Sequence, residues 1–349
     1  MLPSHFRSGG GTDADPAASR RAGALLEARK KYGSKNNPPP LGLIILTASC
    51  CLVLLFQLWL GGSSSRRRPS GALLDGVTPS QRRVLAAARR GAGAAHLGAA
   101  SRGEARQFPA PQLRNLVLVA CHSVYTGLDY THADEKSSWF LLDYQKVPGQ
   151  TNSFVEHIQL GVREAAADPD SLLLFSGGKT RKDAGPRAEG EGYWLVAEAA
   201  KWWGNPQVRE RAFTEDKARD SFENLLFGLC RFYELTGRYP EFIVVVGYEF
   251  KQRRFLDLHR AALRLPTDAF RYEGTPALNT AAIQGEEATA AAFEADPYGC
   301  HGQLAAKRAQ RDPFAAGGYN GDWCPDMAEL LTYCGPKVFD GPLPWDGTV

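Results

Sequence analysis

The stretch from Ser171 to Lys179 constrains the fold of this chain more than any other. It reads SLLLFSGGK, a short apolar run that ends abruptly at a Ser-Gly-Gly-Lys loop. A continuous apolar run of this length is typical of a strand that is buried on both faces of a sheet. In an open α/β sheet, a glycine loop at the carboxyl end of such a strand borders the ligand cleft. A Gly-Gly pair is also a common simple turn, so the rest of the sequence has to decide between the two interpretations.

Apolar runs and helical patterns alternate on both sides of this loop. Further strands are predicted at Leu113–Cys121, Ala212–Thr214, Phe242–Val246 and Ala269–Tyr272. Helices are predicted at Thr151–Ala167, Glu189–Trp203, about Asp220–Thr236, and Lys251–Leu265. All-apolar strands that alternate with helices predict an α/β fold, a Rossmann-like parallel sheet with helices on both faces, over residues 112–295. We expect residues 296–349 to pack on this domain as a C-terminal extension, with a short helix at Met327–Tyr333.

The first third of the chain has a different composition from the rest. Residues 1–111 contain 16 Lys and Arg against 5 Asp and Glu, whereas residues 112–349 contain 25 against 33. Phosphate backbones require concentrated positive charge, so the acidic balance of the second part argues against nucleic acid as its partner. Residues 1–40 are predicted to be a disordered basic leader, and residues 61–111 a linker or stem.

Residues 41–60 predict a transmembrane helix. They read LGLIILTASCCLVLLFQLWL, which contains no charged residue and is long enough to cross a bilayer. A buried core helix is disfavoured because polar stretches surround the segment, and a cleaved signal peptide is disfavoured by the 40 residues before it. Lys and Arg on the near flanks favour a cytosolic amino terminus. The chain is thus predicted to be a single-pass membrane protein, with the secretory pathway (endoplasmic reticulum or Golgi) as the favoured location.

The seven cysteines form no CxxC pair, which disfavours a zinc ribbon or a thioredoxin-like site. Cys300, His301, Cys324 and Cys334 are spaced too loosely to favour a metal over ordinary thiols, so no metal is predicted. One disulfide, for example Cys324–Cys334, is possible in an oxidising compartment.

Polar residues follow three of the predicted strands, and in a parallel sheet these strand ends share one edge. This shared edge favours a ligand site over a simple turn. The predicted ligand-binding residues are Ser176, Gly177, Gly178, Lys179, Ser221, Asn224, Lys251 and Arg254, and the predicted general acid/base residues are His122, Glu191 and Glu223. Capping of the helix that starts near Asp220 would alone explain the Ser and Asp there. Dipole complementation would alone explain the Glu residues near 190.

These blocks together resemble the SanA/YdcF/ElyC-like family, the domain of unknown function 218. The matching blocks are Ser176 to Gly178, Glu191 with its helix, Ser221 to Asn224, and Val244 to Phe255. The resemblance implies a Rossmann-like fold, an envelope or membrane context and, as one possible ligand, S-adenosylmethionine. Phe250-Lys251 stands where the family tends to have a His before the Arg, so no catalytic His is carried over to that loop. The layout is closer to a eukaryotic, fungal-type, membrane-anchored branch of the family.

Three functions follow from this interpretation. The first is an enzyme, a hydrolase or transferase, that acts on an anionic or phosphate-bearing substrate. The second is a non-catalytic module that binds a nucleotide or S-adenosylmethionine and serves membrane or envelope homeostasis or trafficking. The third is a structural membrane protein whose ancestral site has decayed. The oligomeric state is left open.

Overall fold

The structure is a computed structural model, and it describes residues 107–278 and 280–347. Five parallel strands form one sheet in the order β3-β2-β1-β4-β5. Their bounds are β1 Asn115–Ala120, β2 Ser171–Ser176, β3 Ala212–Glu215, β4 Phe242–Tyr248 and β5 Phe270–Thr275. The predicted parallel α/β architecture is therefore confirmed. From β1 the chain first adds β2 and β3 on one side and then β4 and β5 on the other. The strand order therefore changes direction at β1, and doubly wound sheets bind their ligands at this point.

The continuous apolar strands are explained by burial on both sides of the sheet. Along β1, Leu116 and Leu118 enter one hydrophobic cluster, while Val117 and Val119 enter the other. Successive strand residues point to opposite faces, so a sheet covered on both faces requires apolar residues at every position. The predicted presence of helices on both faces is confirmed by these two clusters.

Seven α-helices can be assigned within the described residues. They are α1 Gln150–Ala167, α2 Glu189–Ala199, α3 Ser221–Thr236, α4 Arg260–Ala262, α5 Thr280–Ala295, α6 Gly302–Gln310 and α7 Ala328–Thr332. Helices α1 and α2 contribute to one cluster, and α3, α5 and α6 to the other. Asp220 caps α3 by accepting a hydrogen bond from the Glu223 amide at 2.9 Å, and Gly237 ends the helix in the left-handed conformation.

Two predicted helices differ from those in the structure. The second helix ends at Ala199 and not at Trp203, because Lys201, Trp202 and Trp203 all have positive φ angles. The helix predicted at Lys251–Leu265 is instead a 3₁₀ turn, Glu249–Lys251, a π-helical segment, Arg254–His259, and the short helix α4. A π-helical segment inside a helix is frequently found at a functional site.

Residues of the segment 296–347 contribute to the core of the sheet domain. Tyr298, Leu304, Met327 and Phe339 share a hydrophobic cluster with α3. Two disulfides, Cys230–Cys324 and Cys300–Cys334, fasten this extension. The example pairing Cys324–Cys334 is therefore wrong, because Cys324 lies beside Cys230 of α3.

The predicted basic leader (1–40), the predicted transmembrane helix (41–60) and nearly all of the predicted stem lie outside the described residues. Among the described helices, none combines the length and the apolar character that a membrane span requires.

Candidate functional site

The candidate site is a cleft of about 390 Å³ at the carboxyl end of the sheet. The loops after β1, β2, β3, β4 and β5 all contribute to it, and α3, α5 and α6 complete its walls. We call it the strand-end cleft. Its place in the fold follows from the parallel topology, because all five carboxyl ends lie on one edge.

The cleft has an excess of positive charge. Six cationic side chains line it against three carboxylates, Glu189, Asp220 and Glu286. The cationic residues are Arg181, Arg219, Lys251, Arg254, Lys307 and Arg311. Arg254 pairs with Glu286 at 2.9 Å, and Arg219 with Glu223 at 2.6 Å. Among the residues that the structure describes, the other four make no ion pair with a carboxylate.

Like charges at short range change the acidity of the cleft lysines. Burial, and then the neighbouring Arg254, lower the pKa of Lys251 to about 7. Burial and Arg311 lower the pKa of Lys307 to about 8. A cation that is both desolvated and close to other cations loses part of its charge at neutral pH, and a bound anion restores it.

His122 lies next to Lys251. The Nζ atom of Lys251 is 3.3 Å from Nδ1 of His122, and the imidazole stacks on the Tyr248 ring at 4.8 Å between centroids. Burial, followed by the charge of Lys251, lowers the pKa of His122 well below its ordinary value. A neutral imidazole beside a lysine of lowered pKa is a suitable pair for moving a proton near neutral pH.

The first turn of α3 forms another wall. The Ser221 hydroxyl lies 2.8 Å from Nε2 of His259, whose pKa is held well below its ordinary value by burial and by Arg254. Asn224 donates to the carbonyl and to the hydroxyl oxygen of Ser176 at 3.0 and 2.9 Å. The amino terminus of α3 adds a partial positive charge to the cleft.

Six of the predicted site residues line the strand-end cleft: His122, Gly177, Ser221, Asn224, Lys251 and Arg254. Their chemical roles remain predictions. The other five, Ser176, Gly178, Lys179, Glu191 and Glu223, are not among its lining residues.

The predicted role of the Gly-Gly amides as anion donors does not fit the structure. The Gly177 amide donates to the Glu215 carbonyl at 3.0 Å, and the Gly178 amide donates to the Ala218 carbonyl at 2.8 Å. Neither glycine has a positive φ angle. A Cβ atom at Gly178 would lie only 2.7 Å from the Ala218 oxygen, so this glycine is needed for close packing.

Three other predicted residues have structural contacts in place of ligand contacts. Lys179 pairs with Asp216 at 3.2 Å. The Ser176 hydroxyl donates to the carboxylate of Glu215 at 2.6 Å. Glu223 is held by Arg219 and Arg308, so its oxygens are not available as a general base.

Glu191 is also outside the cleft, although it was predicted to act there. It lies in the first turn of α2, where its charge contributes to raising the pKa of Tyr130. Glu189, two residues earlier, lines the cleft and accepts a hydrogen bond from the Thr180 hydroxyl. Two residues along a helix rotate a side chain by more than half a turn, which explains the difference.

Several cleft residues were missed by the sequence analysis. Lys307 lies on α6 and Arg311 is its C-cap, in a segment predicted only to pack on the domain. Their spacing of four places both on one face of a helix, and the run KRAQR is the signal that could have identified them. His259 contacts Ser221 without lining the cleft; it belongs to the π-helical segment, and nothing in its sequence context points to Ser221.

The fold and the cleft together define a parallel α/β domain with a cationic strand-end cleft. The chain is similar to a protein of Saccharomyces cerevisiae (strain ATCC 204508 / S288c) described as "Uncharacterized protein YOR238W". The two are 24% identical over 255 residues, which cover 57% of this chain and 84% of the yeast protein. No family model and no solved structure matches the chain.

Proposed function

We propose that this chain is an enzyme, a hydrolase or a transferase, that acts on a small phosphate-bearing anion in the strand-end cleft. The observation that supports this most directly is the group of four cationic side chains, Arg181, Lys251, Lys307 and Arg311, for which no described carboxylate is a partner. Converging cations of this kind are typical of phosphate recognition. The volume of about 390 Å³ lies in the range of small-molecule sites.

Lys251 and His122 are the proposed acid/base pair. They are in contact at 3.3 Å, and the pKa of Lys251 is about 7. In this proposal, the neutral amine of Lys251 accepts a proton from the attacking hydroxyl or water, and Nδ1 of His122 accepts a hydrogen bond that holds Lys251 in place. The ammonium formed on Lys251 then stabilises the charge that develops on the phosphate.

A non-catalytic binding module is the second candidate. Its support is that Glu223, one of the predicted general bases, is occupied by Arg219 and Arg308. Of the two ligands considered for such a module, a nucleotide fits the cleft better than S-adenosylmethionine. The sulfonium of S-adenosylmethionine is a cation and would be repelled by the six cationic side chains.

The location in the secretory pathway and the membrane anchor also remain proposals. The pairs Cys230–Cys324 and Cys300–Cys334 support an oxidising compartment, because such bonds persist there and are rare in the cytosol. Membership of the domain of unknown function 218 is likewise proposed on the sequence blocks alone.

A thermal-shift panel on the full-length chain in detergent tests this function. ADP, glucose 6-phosphate and S-adenosylmethionine are each added to the wild type, to Lys251→Met and to the control Lys182→Met, whose lysine is exposed and outside the cleft. We expect phosphate compounds to raise the Tm of the wild type and the control but not of Lys251→Met. Release of phosphate or transfer of a phosphoryl group distinguishes an enzyme from a binding module. No stabilisation by any phosphate compound would reject both.

A further inference from the structure

Three aromatic rings form a stacked column in the wall of the strand-end cleft. His122 stacks on Tyr248 with centroids 4.8 Å apart and planes 16° apart, and Phe250 stacks on Tyr248 at 5.2 Å and 14°. All three residues line the cleft. Tyr248 is buried and Phe250 is half-buried, so Phe250 is the more accessible of these two rings.

This column is fixed by its neighbours. The Tyr248 hydroxyl accepts a hydrogen bond from Gln150, and Lys251 Nζ lies 5.5 Å from the Tyr248 ring centroid and 5.8 Å from that of Phe250. A ring held on one face by stacking and beside a cation loses little entropy when a second flat group packs on it.

Apolar surface is also exposed in the cleft. Tyr144 and Leu278 line the cleft and are 48% and 49% exposed. They belong to the loops after β1 and β5, as Phe250 belongs to the loop after β4. Large apolar side chains left exposed in a cleft are informative, because they indicate the apolar part of a ligand.

The cations without a carboxylate partner come mainly from other elements. Arg181 follows β2, which lies on the other side of β1 from β4 and β5, while Lys307 lies on α6 and Arg311 directly follows it. The pKa of Arg181 is lowered by burial and then by Arg311, which places these two cations close together. We call Arg181, Lys307 and Arg311 the cationic side of the cleft, and Tyr248 and Phe250 its aromatic side.

We propose that the ligand of the strand-end cleft is a nucleotide, whose base stacks on Phe250 and whose phosphates lie among Arg181, Lys307 and Arg311. This inference rests on the proposed function and narrows its substrate class. A sugar phosphate would use the cationic side alone, because its hydroxyl groups gain little from aromatic faces. Every nucleotide base, purine or pyrimidine, has a π-face that can stack on an aromatic side chain.

Isothermal titration of the full-length chain in detergent with ADP, pyrophosphate and ribose 5-phosphate tests the assignment. We expect ADP to bind about tenfold more tightly than pyrophosphate, as expected for one base–aromatic stack. Phe250→Ala should weaken ADP binding by about tenfold and leave pyrophosphate binding unchanged, while Phe250→Tyr should retain both. Phe314→Ala, which removes an exposed ring outside the cleft, is the control.

The possible results separate this inference from the proposed function. Equal affinities for pyrophosphate and ADP would overturn the nucleotide assignment, and the cleft would then be a phosphate site. Phe250→Ala weakening both ligands to the same extent would also overturn it, because the ring would then act only on the shape of the cleft. Binding of none of the three compounds would reject the proposed function as well.

Discussion

Lys251 and His122 are in contact although 129 positions separate them in the sequence, with Nζ of the lysine 3.3 Å from Nδ1 of the histidine. Lys251 follows β4 and His122 follows β1, and these strands are neighbours in the sheet. The contact is therefore a direct product of the strand order, which brings the two carboxyl ends together. It places the proposed acid/base pair at the point where the strand order changes direction.

The pKa of Lys251, about 7, predicts a pH-dependent affinity. Below this value the ammonium is charged and attracts a phosphate, and above it the attraction is lost. Pyrophosphate affinity should therefore fall several-fold between pH 6 and pH 8.5, in addition to any change caused by the titration of pyrophosphate itself. Lys251→Arg should lose less affinity than the wild type over this range, because an arginine remains charged while Lys307, with a pKa of about 8, titrates in both proteins.

The measurement is a pH series of titrations on the wild type, Lys251→Arg and Lys251→Met. The titration of pyrophosphate is common to all three, so only the difference between their slopes is interpreted. Identical slopes for the wild type and Lys251→Arg would show that Lys251 does not titrate in this range.

We expect the free energy of unfolding to depend on pH because of Glu215. Burial raises its pKa to about 8 from an ordinary value of 4.5. Between these two values the folded protein holds a proton that the unfolded chain has released. Raising the pH from 4.5 to 8 therefore lowers the free energy of unfolding. Glu215→Gln cannot lose a proton and should be less sensitive to pH over this range.

Urea denaturation of the wild type and Glu215→Gln at pH 6 and pH 8 measures this effect. Asp216→Asn is the control, since Asp216 is more exposed and pairs with Lys179. If the wild type and Glu215→Gln lose the same stability between the two pH values, the buried carboxyl is not the cause.

We expect the Cys300–Cys334 disulfide to strengthen ligand binding. It brackets α6, which carries Lys307 and Arg311 into the cleft and Arg308 to within 2.5 Å of Asp220. The double variant Cys300→Ser/Cys334→Ser should weaken pyrophosphate binding and lower the Tm, because the segment loses its constraint. The control is Ser137→Ala, which changes an exposed residue outside the cleft.

Gly178→Ala should destabilise the domain by about 1–3 kcal/mol, the usual effect of overpacking. The added Cβ would meet the Ala218 carbonyl oxygen at 2.7 Å, and this is backbone that cannot rotate away. Gly285→Ala is the matched control, since a Cβ at this helical position has no atom within 4 Å. Equal stability of the two variants, measured by urea denaturation, would contradict the packing role of Gly178.

The sequence was sufficient to predict the sheet, because strands that are buried on both faces consist almost entirely of apolar residues, as SLLLFS does. It also predicted that Asp220 or Ser221 caps α3, which is a local effect. The contribution of α6 to the cleft could not be predicted, since it depends on where the C-terminal extension folds back. The role of Gly178 was misjudged because a close approach to Ala218 depends on tertiary contacts, whereas a turn is a local property.

We propose above that the strand-end cleft binds phosphate through its cationic side. The most direct measurement is pyrophosphate affinity, by titration calorimetry, for the wild type, Arg311→Met and the control Lys182→Met. Methionine keeps much of the apolar stem of arginine and removes its charge. We expect Arg311→Met to weaken pyrophosphate binding by about tenfold or more and Lys182→Met to bind as the wild type does. Equal affinity for Arg311→Met and the wild type, or no binding by the wild type, would contradict it.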